Sequence, residues 1–311
     1  MLLPVLEKKA QWADYKIDWL ALSYLIAMHL TLLLTPFSFE WKYLFSAIAL
    51  QAFLGGVGMC VGYHRLLTHR SFDTPKWFEH ILATLGHLSL QGSPIRWVAM
   101  HRMHHQYSDT ENDPHSPKQG FAWGHFNWIF VVRKDFDLAA VKNRYAKDLM
   151  QDTYYQFLDR NDWWVQIAVS LLVFLALGWK FFIWGICVRL LFTYHTTWFV
   201  NSAAHTFGYR NFQTKDGSTN CWWVALLAYG EGWHNNHHAV PHSARHGIRW
   251  YEIDTSYYLI RTFKWLHLAK NVKVPAQETV KKMKQAASQK FKLLEPSEVL
   301  TAVLGRKPKA V

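Results

Sequence analysis

The chain is poor in cysteine and in charge. Its 311 residues include three cysteines, Cys60, Cys187 and Cys221, which lie far apart and form no C-x-x-C motif. A disulfide framework, a thiolate zinc site and an iron–sulfur cluster are therefore not expected. Charged residues make up 18% of the chain, against roughly 25% in an average soluble domain. Because 50% of the residues are apolar and 16% are aromatic, intrinsic disorder is excluded as well.

The apolar residues are concentrated in four runs. Residues 19–39, 43–64 and 163–179 contain no Asp, Glu, Lys or Arg, and residues 181–204 are interrupted only by Arg189. A helix needs about 20 apolar residues to cross the hydrocarbon core of a bilayer, and four such runs in two closely spaced pairs are hard to bury in a soluble chain of this length. The first run starts too late and is too long for a cleavable signal peptide. We therefore predict an all-α integral membrane protein with four transmembrane helices in two hairpins, at about residues 19–39, 43–63, 163–179 and 181–201.

The distribution of positive charge predicts the orientation of these helices. The two hairpin turns, near residues 36–42 and 178–180, are short and carry one Lys each. The other basic residues, apart from Arg189, lie outside the four runs and their turns, and an excess of Lys and Arg marks the cytoplasmic side of a membrane. We therefore expect both termini to be cytoplasmic, and residues 64–162 and 202–264 to form a helical cytoplasmic cap within the same single domain.

One further segment is predicted to lie at the membrane surface, and for the basic tail such a position is one of two alternatives. Residues 77–91 are too polar and too short to cross the membrane, and we expect an interfacial helix there. The apolar residues on one face of this helix are Trp77, Phe78, Ile81, Leu82, Leu85 and Leu88. The tail, residues 265–311, is basic and contributes much of the net charge of +12. It fits either a partly amphipathic helix on an anionic leaflet or a solvated tail.

Nine of the 18 histidines fall into short clusters. They are His64 and His69 in HRLLTHR, His101, His104 and His105 in HRMHH, His205 in NSAAH, and His234, His237 and His238 in HNNHH. In H-x-x-H-H the imidazoles at i, i+3 and i+4 share one face of a helix. His64 and His69 are five residues apart, which is roughly 140° around a regular helix, so we expect them to reach two neighbouring ions. Nine neutral imidazoles on one side of a membrane therefore suggest a dinuclear metal site, and imidazole suits zinc, copper, iron and nickel.

The remaining histidines are interpreted as ordinary surface or hydrogen-bonded core residues. They are His29, His80, His87, His125, His195, His242, His246 and His267. His115 follows the second cluster in the segment DPHSP. It is either one more residue of this kind or a residue that supports the metal ligands from behind.

The histidine motifs are specific in order and spacing. In the boxes HRLLTHR, HRMHH and HNNHH, with NSAAH about thirty residues before the last box, the chain resembles the membrane-bound fatty acid desaturases, in particular the acyl-CoA/acyl-lipid Δ9 (stearoyl-CoA type) branch. The resemblance extends from about Trp19 to Asp254. It implies a mushroom-shaped bundle of four spanning helices under a cytoplasmic cap. It also implies two iron ions held by the nine clustered histidines, with Asn201 contacting a metal through water.

The resemblance further implies a kinked tunnel that bends the acyl chain beside the metals. Gln91, Thr197 and Trp198 match the polar and aromatic residues at the bend, although the end of a helix explains Gln91 equally well. We expect Ala52 and Gly56 to leave room for the methyl end of the acyl chain. Close helix packing is the alternative use of the small residues in this segment.

One departure from the resemblance concerns the acyl carrier. Animal acyl-CoA desaturases have an Arg that is expected to face the CoA head group, and this chain has Ala99 at that position. The sequence therefore leaves both CoA and lipid open as carriers. In this respect the chain looks more like the bacterial and cyanobacterial branch.

The implied activity is an O2-dependent desaturation that introduces a cis double bond, at Δ9, into a saturated acyl chain. Removing hydrogen from unactivated methylenes is beyond side-chain acids and bases, so the metal cofactor has to carry the oxidation. Each turnover needs two electrons, and the chain has no G-x-G-x-x-G, C-x-x-C or H-P-G-G motif for a redox cofactor. We therefore expect a separate electron donor, a ferredoxin or a cytochrome b5-like protein, and no nucleic acid partner.

Two alternatives would use the same histidines. A fatty acid or alkane hydroxylase would carry the same boxes and would differ in its product. A membrane metal transporter, or a metal-binding protein without activity, is less compatible with the sequence. Transporters place their ligands near the bilayer midplane, whereas these clusters lie past the ends of the predicted helices.

Overall fold

The computed structural model describes residues 14–281, and most of this range is helical. Two short strands, β1 (Tyr15–Ile17) and β2 (Val131–Arg133), pair antiparallel. The helices, numbered in chain order, are α1 (Trp19–Ser38), α2 (Trp41–Thr68), α3 (Lys76–His87), α4 (Pro94–Tyr107), α5 (Leu138–Tyr145), α6 (Thr153–Arg160), α7 (Asp162–Phe181), α8 (Arg189–Ser202), α9 (Trp222–Leu227), α10 (His234–Ala239) and α11 (Thr255–Trp265). Shorter helical turns lie at Thr31–Leu34 within α1 and at Pro117–Gln119, Trp123–Asn127, Trp128–Phe130, Leu149–Gln151, Phe182–Val188 and Ala203–His205. Most of the basic tail predicted at 265–311 lies outside the described residues.

Three helical stretches are long and apolar enough to cross a membrane: α1, α2 and the stretch Asp162–His205. The third stretch has 44 residues, or roughly 66 Å of helix, about twice the 30 Å of a hydrocarbon core. Gly178 inside it has φ 79° and ψ 171°, which are not helical and which glycine adopts at little cost. The rings of Phe174 and Phe182 lie 5.8 Å apart, far closer than eight residues of straight helix allow. The chain therefore folds back at Gly178.

The turn between α1 and α2 and the turn at Gly178 meet each other. Lys180 Nζ lies 3.0 Å from Glu40 Oε1, and Lys42 Nζ lies 2.8 Å from Glu40 Oε2. Trp184 Nε1 donates a hydrogen bond to Ser38 Oγ at 3.2 Å. Both turns therefore lie at one end of the helices, and the histidine-bearing ends of α2 and α8 lie away from them.

Helix α3 packs against α2 at very close range. A Cβ atom on Gly58 would collide with the backbone of Leu85 and Gly86, and one on Gly62 would lie 2.7 Å from Leu82 O. These two glycines of α2 therefore serve helix packing, as small residues do between membrane helices.

The buried face of α3 differs from the predicted apolar stripe. Phe78 and Leu82 are buried within the protein, whereas Trp77 and Ile81 are 58% and 45% exposed. Glu79 is buried instead, because its Oε1 accepts a hydrogen bond from Tyr155 Oη at 2.7 Å. The exposed Trp77 and Ile81 are compatible with a helix at the membrane surface, which stays a prediction.

Candidate metal centre

The nine histidines of the sequence clusters come together in two groups. The first group is His64, His69, His101, His105 and His237, and the second group is His104, His205, His234 and His238. Within each group, one ring nitrogen from each residue lies within 4.8 Å of the others. The histidines come from α2 and the residue after it, α4, the turn after α8, and α10, so four separate parts of the chain meet here.

Each H-x-x-H-H box contributes to both groups. In α4, His101 and His105 belong to the first group and His104 to the second. In α10, His237 belongs to the first group, and His234 and His238 belong to the second. One helical face therefore supplies both groups, which agrees with the shared face that the i, i+3, i+4 spacing predicts.

His64 and His69 lie in the same group, so the expectation that they reach two different ions is wrong. The cause is local: Gln51–Thr68 is wound as a π-helix, in which hydrogen bonds run between residues five apart. His69 N donates to His64 O at 3.2 Å, and the two rings are 4.8 Å apart. The regular helix assumed from the sequence would have placed them on different sides.

The nitrogen atoms have the spacing of ligands around a metal ion. In the first group, the Nε2 atom of His237 lies 3.1 Å from Nε2 of His64 and 2.9 Å from Nε2 of His105. In the second, Nε2 of His234 and of His238 are 3.0 Å apart. Two metal–nitrogen bonds of about 2.1 Å at a right angle place the nitrogens about 3.0 Å apart, so these residues fit a pair of bound ions.

Unpartnered ring nitrogens support the same conclusion. The Nε2 atoms of His69, His104 and His205 are buried and have no hydrogen-bond partner among the described residues. Buried polar atoms in native proteins are nearly always paired, and an exception calls for a specific explanation such as an ion. Each of these atoms belongs to one of the two groups, where a metal would complete its bonding.

Three aspartates hold the second group in place, and sequence reasoning missed all of them. The Nδ1 atoms of His104, His205 and His238 each lie 3.0 Å from a carboxylate oxygen. The carboxylates belong to Asp113, Asp109 and Asp216, respectively. A carboxylate behind a ligating imidazole fixes its tautomer and its orientation. The only sequence signal was the pair of Asp residues just after the second box, in SDTENDPH.

Glu231 holds the first group in a similar way. Its Oε2 atom lies 2.7 Å from His64 Nδ1 and 3.0 Å from Nδ1 of His246, and its Oε1 atom lies 3.1 Å from Arg65 Nε. Arg65 is fully buried and also lies 2.9 Å from Asp254. His246, which the sequence treats as an ordinary core or surface residue, is therefore buried at the edge of the site, with its ring 4.4 Å from that of His237.

Burial sets the protonation of the histidines. It lowers the pKa of His105 and His237 well below the ordinary value, and the neighbouring imidazoles lower these pKa values further. Neutral imidazole is the form that binds a metal. Burial also acts to lower the pKa of His104 and is the largest single influence on it. The charge and hydrogen bond of Asp113, together with the charges of Asp109 and Asp216, outweigh burial, and the net pKa is raised. Conversely, burial acts to raise the pKa of Asp113, and His104 brings it well below its usual range.

A cavity opens directly onto the first group. His64 and His101 form part of its wall. The rest of the wall is mostly apolar or hydroxyl-bearing and comprises Gln51, Gly55, Met59, Cys60, Trp97, Thr193, Thr196, Thr197, Val200, Asn201, Ala228, Tyr229 and Glu231. An apolar cavity with a few convergent polar groups is the usual form of a ligand site.

The predicted substrate residues on α8 and near it fall on two sides of that helix. Thr197 and Asn201 line the cavity, and Gln91 Nε2 donates to Thr197 Oγ1 at 3.0 Å. Trp198 is buried on another face, where its ring stacks on Tyr194 with centroids 5.4 Å apart. The structure thus brings Gln91, Thr197 and Asn201 together and leaves Trp198 outside the cavity wall.

On α2 the cavity is lined by Gln51 and Gly55. The expectation that Ala52 and Gly56 leave room for the acyl chain there is therefore wrong. Ala52 is exposed on the outer side of the helix, because neighbouring residues of a helix project in different directions. Gly56 faces Tyr229, whose ring carbons would lie 3.4 Å from a Cβ atom there. Gly56 therefore gives room to a residue of the cavity wall and not to the cavity itself.

Comparison with known proteins places these observations in a family. The model of the family described as fatty acid desaturase matches residues 39–263. An sn-1 stearoyl-lipid 9-desaturase of Synechocystis sp. is 46% identical over 262 residues, covering 83% of this chain and 81% of the relative. An sn-2 palmitoyl-lipid 9-desaturase of Nostoc sp. is 43% identical over 258 residues, covering 83% and 90%. A chloroplastic palmitoyl-monogalactosyldiacylglycerol delta-7 desaturase of Arabidopsis thaliana is 39% identical over 289 residues, covering 91% and 78%.

Proposed function

Since the chain belongs to the fatty acid desaturase family, it is an oxidoreductase that desaturates fatty acyl chains, and we propose that its substrate is a saturated acyl chain esterified to a membrane lipid. The product would carry a cis double bond at Δ9. The observation that supports this most directly is the cavity that ends at His64 and His101, where an acyl chain would lie beside the first histidine group.

Two observations favour lipid over CoA as the acyl carrier. Relatives at 43–46% identity are described as acting on lipid-linked acyl chains, whereas two at 41–42% identity are described as acyl-CoA desaturases. In addition, Ala99 stands where the resemblance leads one to expect an Arg for the CoA head group, and Ala99 is fully buried in the core beside α2. This position therefore offers no cation to a soluble acyl carrier.

The nine histidines would hold two iron ions, and Asn201, which lines the same cavity as His64 and His101, would contact one of them through water. When bound, the iron pair supplies with O2 the oxidising power that side chains lack. The chain's own residues orient the imidazoles and keep water away from the acyl chain. Asp109, Asp113 and Asp216 orient three imidazoles, and Glu231 orients a fourth.

The cavity wall would position the acyl chain and exclude water. The hydrogen bond from Gln91 to Thr197 fixes a hydroxyl at the wall beside α8. At the other side, Gln51 Oε1 accepts a hydrogen bond from Thr193, which ties α2 to α8 across the cavity. Met59 and Tyr229 also line the wall, so the reacting methylenes would lie in a largely dry site.

We also propose that the helices cross the membrane four times, with the two turns outside and the histidine site on the cytoplasmic side. The chain reversal at Gly178 and the contact between Lys180 and Glu40 support this arrangement. Single Cys residues at Lys42 and Trp179, against Lys118, would test it, since the three native cysteines are buried. External labelling at Lys118→Cys would exclude the proposed orientation.

The activity can be tested by supplying the purified, iron-reconstituted protein with a stearoyl glycerolipid or with stearoyl-CoA, a reduced ferredoxin and O2. We expect a double bond at C9 in the lipid-linked chain, located by mass spectrometry, and little product from the CoA ester. A hydroxylated product would favour the hydroxylase alternative. Desaturation of the CoA ester alone would leave the family assignment intact and overturn the proposed carrier.

A further inference from the structure

A basic and aromatic surface lies beside the metal centre and has no role in the function proposed above. Arg245, Arg249 and Arg261 line a recess there together with Tyr258, and Trp250 at its rim is 91% exposed. We call these five residues the Arg–Trp surface.

Two acidic residues lie beneath this surface, and one of them, Glu252, is 3.9 Å from Arg249 Nε and offsets part of its charge. Glu252 and Asp254 also border the recess, but each is only 2% exposed. Asp254 is paired with buried Arg65 at 2.9 Å. Glu252 accepts hydrogen bonds through Oε1 from Tyr209 at 2.7 Å and, through Oε2, from backbone N–H groups of its own loop. The exposed part of the recess therefore presents arginine side chains and aromatic rings.

Two hydrogen-bonded paths connect this surface to the third histidine box. In one, Glu252 Oε2 accepts from Arg249 N at 2.8 Å and from Asn236 Nδ2 at 2.9 Å. In the other, Arg249 Nε donates to Asn211 Oδ1 at 2.8 Å, and Asn211 Nδ2 donates to Asn236 Oδ1 at 2.8 Å. Asn236 stands next to His237 in α10, so both paths end at the metal-site helix.

The electron balance of the proposed reaction creates a need for such a surface. Taking two hydrogen atoms from an acyl chain and reducing O2 to two waters requires two further electrons and two protons from outside the substrate. A one-electron carrier protein has to deliver these electrons one at a time, and it has to bind close to the metals because electron transfer slows steeply with distance. This step rests on the proposed function.

We propose that the Arg–Trp surface is the docking site of a small acidic electron-carrier protein, and that electrons enter the centre through Glu252, Asn236 and α10. Arginine pairs with carboxylates in a planar, bidentate manner, and Trp and Arg are the residues that most often dominate binding energy at interfaces. The net charge of +12 favours the approach of an acidic partner, since complementary charge raises the rate of encounter.

The test uses two substitutions at exposed positions, Trp250→Ala and Arg261→Glu, in the full-length protein in lipid nanodiscs. Lys147→Glu, another exposed basic residue, is the matched control. Binding of an acidic plant-type ferredoxin is measured by surface plasmon resonance at low and high salt. We expect each variant to bind roughly tenfold more weakly than the parent, which corresponds to the loss of one central interface contact. Arg261→Glu should also flatten the salt dependence, and the control should bind like the parent.

A second measurement separates docking from a structural role and from failure of the proposed function. Product formation is driven by reduced ferredoxin or by dithionite with a small mediator, and the loss in the two variants should be confined to the ferredoxin-driven reaction. An equal loss with the small reductant would overturn the docking proposal. Unchanged ferredoxin binding combined with weaker binding to phosphatidylglycerol vesicles would also overturn it, because this result would mark a membrane contact. If the parent makes no product with the mediator, the proposed function fails, while the binding data still decide the docking.

Discussion

The two histidine groups differ in what holds their imidazoles. In the second group, three of four members have an aspartate 3.0 Å behind Nδ1. In the first group, among the described residues, His64 is the member with a carboxylate contact, to Glu231. The other members pack on one another, as in the 4.6 Å contact of the His69 and His105 rings. One group is therefore held by charge and hydrogen bonds, and the other mainly by ring packing.

This difference matches the position of each group relative to the cavity. Two members of the first group, His64 and His101, form part of the cavity wall, whereas the second group lies behind it. Three aspartates around the second group also supply negative charge that would stabilise a more highly charged ion there. We infer that the second group is the rigid support of the centre and that the first group faces the acyl chain.

The largest expected effect comes from removing a ligand. His69→Ala in the first group and His104→Ala in the second should each abolish desaturation while leaving membrane insertion intact, because each opens a coordination position. Product formation and iron content after reconstitution with Fe2+ are the measurements, since overexpressed protein can carry zinc in place of iron. His29→Ala lies outside both groups and serves as the control. Near-normal activity in both ligand variants would contradict the nine-ligand assignment.

The carboxylates come next in expected effect. Asp113→Asn and Glu231→Gln keep the size of the side chain and remove its charge, and loss of such a partner costs roughly 10–100-fold in metal affinity or activity. If the second group is the rigid support, Asp113→Asn should lower its iron occupancy more than Glu231→Gln lowers that of the first group. Mössbauer spectra of the reconstituted proteins would resolve the two sites.

A control for these carboxylates is available at the surface. Asp135 forms an exposed ion pair with Arg133 at 2.9 Å, and exposed pairs contribute only about 0–1 kcal/mol. Asp135→Asn should therefore leave both iron occupancy and activity unchanged. If Asp135→Asn lost as much iron as Asp113→Asn, the spectra would report the general stability of the protein and not the support of one ion.

The cavity prediction tests which group faces the substrate. Gly55→Phe would place a ring at the cavity wall, where even a Cβ atom would come 2.5 Å from the flexible Gln51 side chain. We expect products to shift from C18 towards C16 chains without a change in double-bond position. Ala52→Trp, on the exposed side of α2, should leave the chain-length profile unchanged. A uniform loss of activity at all chain lengths with Gly55→Phe would indicate disturbed packing instead.

Local patterns in the sequence predicted much of this architecture, because run length and residue spacing act within one helix. The family assignment is confirmed by the match over residues 39–263, and the shared face of each H-x-x-H-H box agrees with the structure. The π-helical winding of Gln51–Thr68 was not predictable from helical spacing. This winding places His69 in the same group as His64, and it contributed to the wrong prediction of the cavity residues on α2.

Asp109 and Glu231 could not be found by spacing, because their contacts join distant parts of the chain, whereas Asp113 lies only nine residues from His104. Asp216 meets His238 from a loop, and Glu231 meets Arg65 across 166 residues of sequence. Such contacts depend on tertiary packing, which composition and periodicity do not encode. The ligand roles of the histidines remain predictions that the substitutions above would test.

The smallest expected effects distinguish the two groups most finely. His246 lies 3.0 Å from Glu231 behind the first group, and His115 lies 3.6 Å from Asp113 behind the second. His246→Ala removes one of three neighbours of Glu231, and Arg65 and His64 still hold that carboxylate, so we expect only a severalfold loss of activity. His115→Ala should cost less, because 3.6 Å is too long for a strong hydrogen bond and Asp113 keeps its contacts with His104 and the backbone of Asp109. Activity and iron occupancy are measured side by side for both variants. If His115→Ala proved the more damaging change, the expected order of the two groups would be reversed.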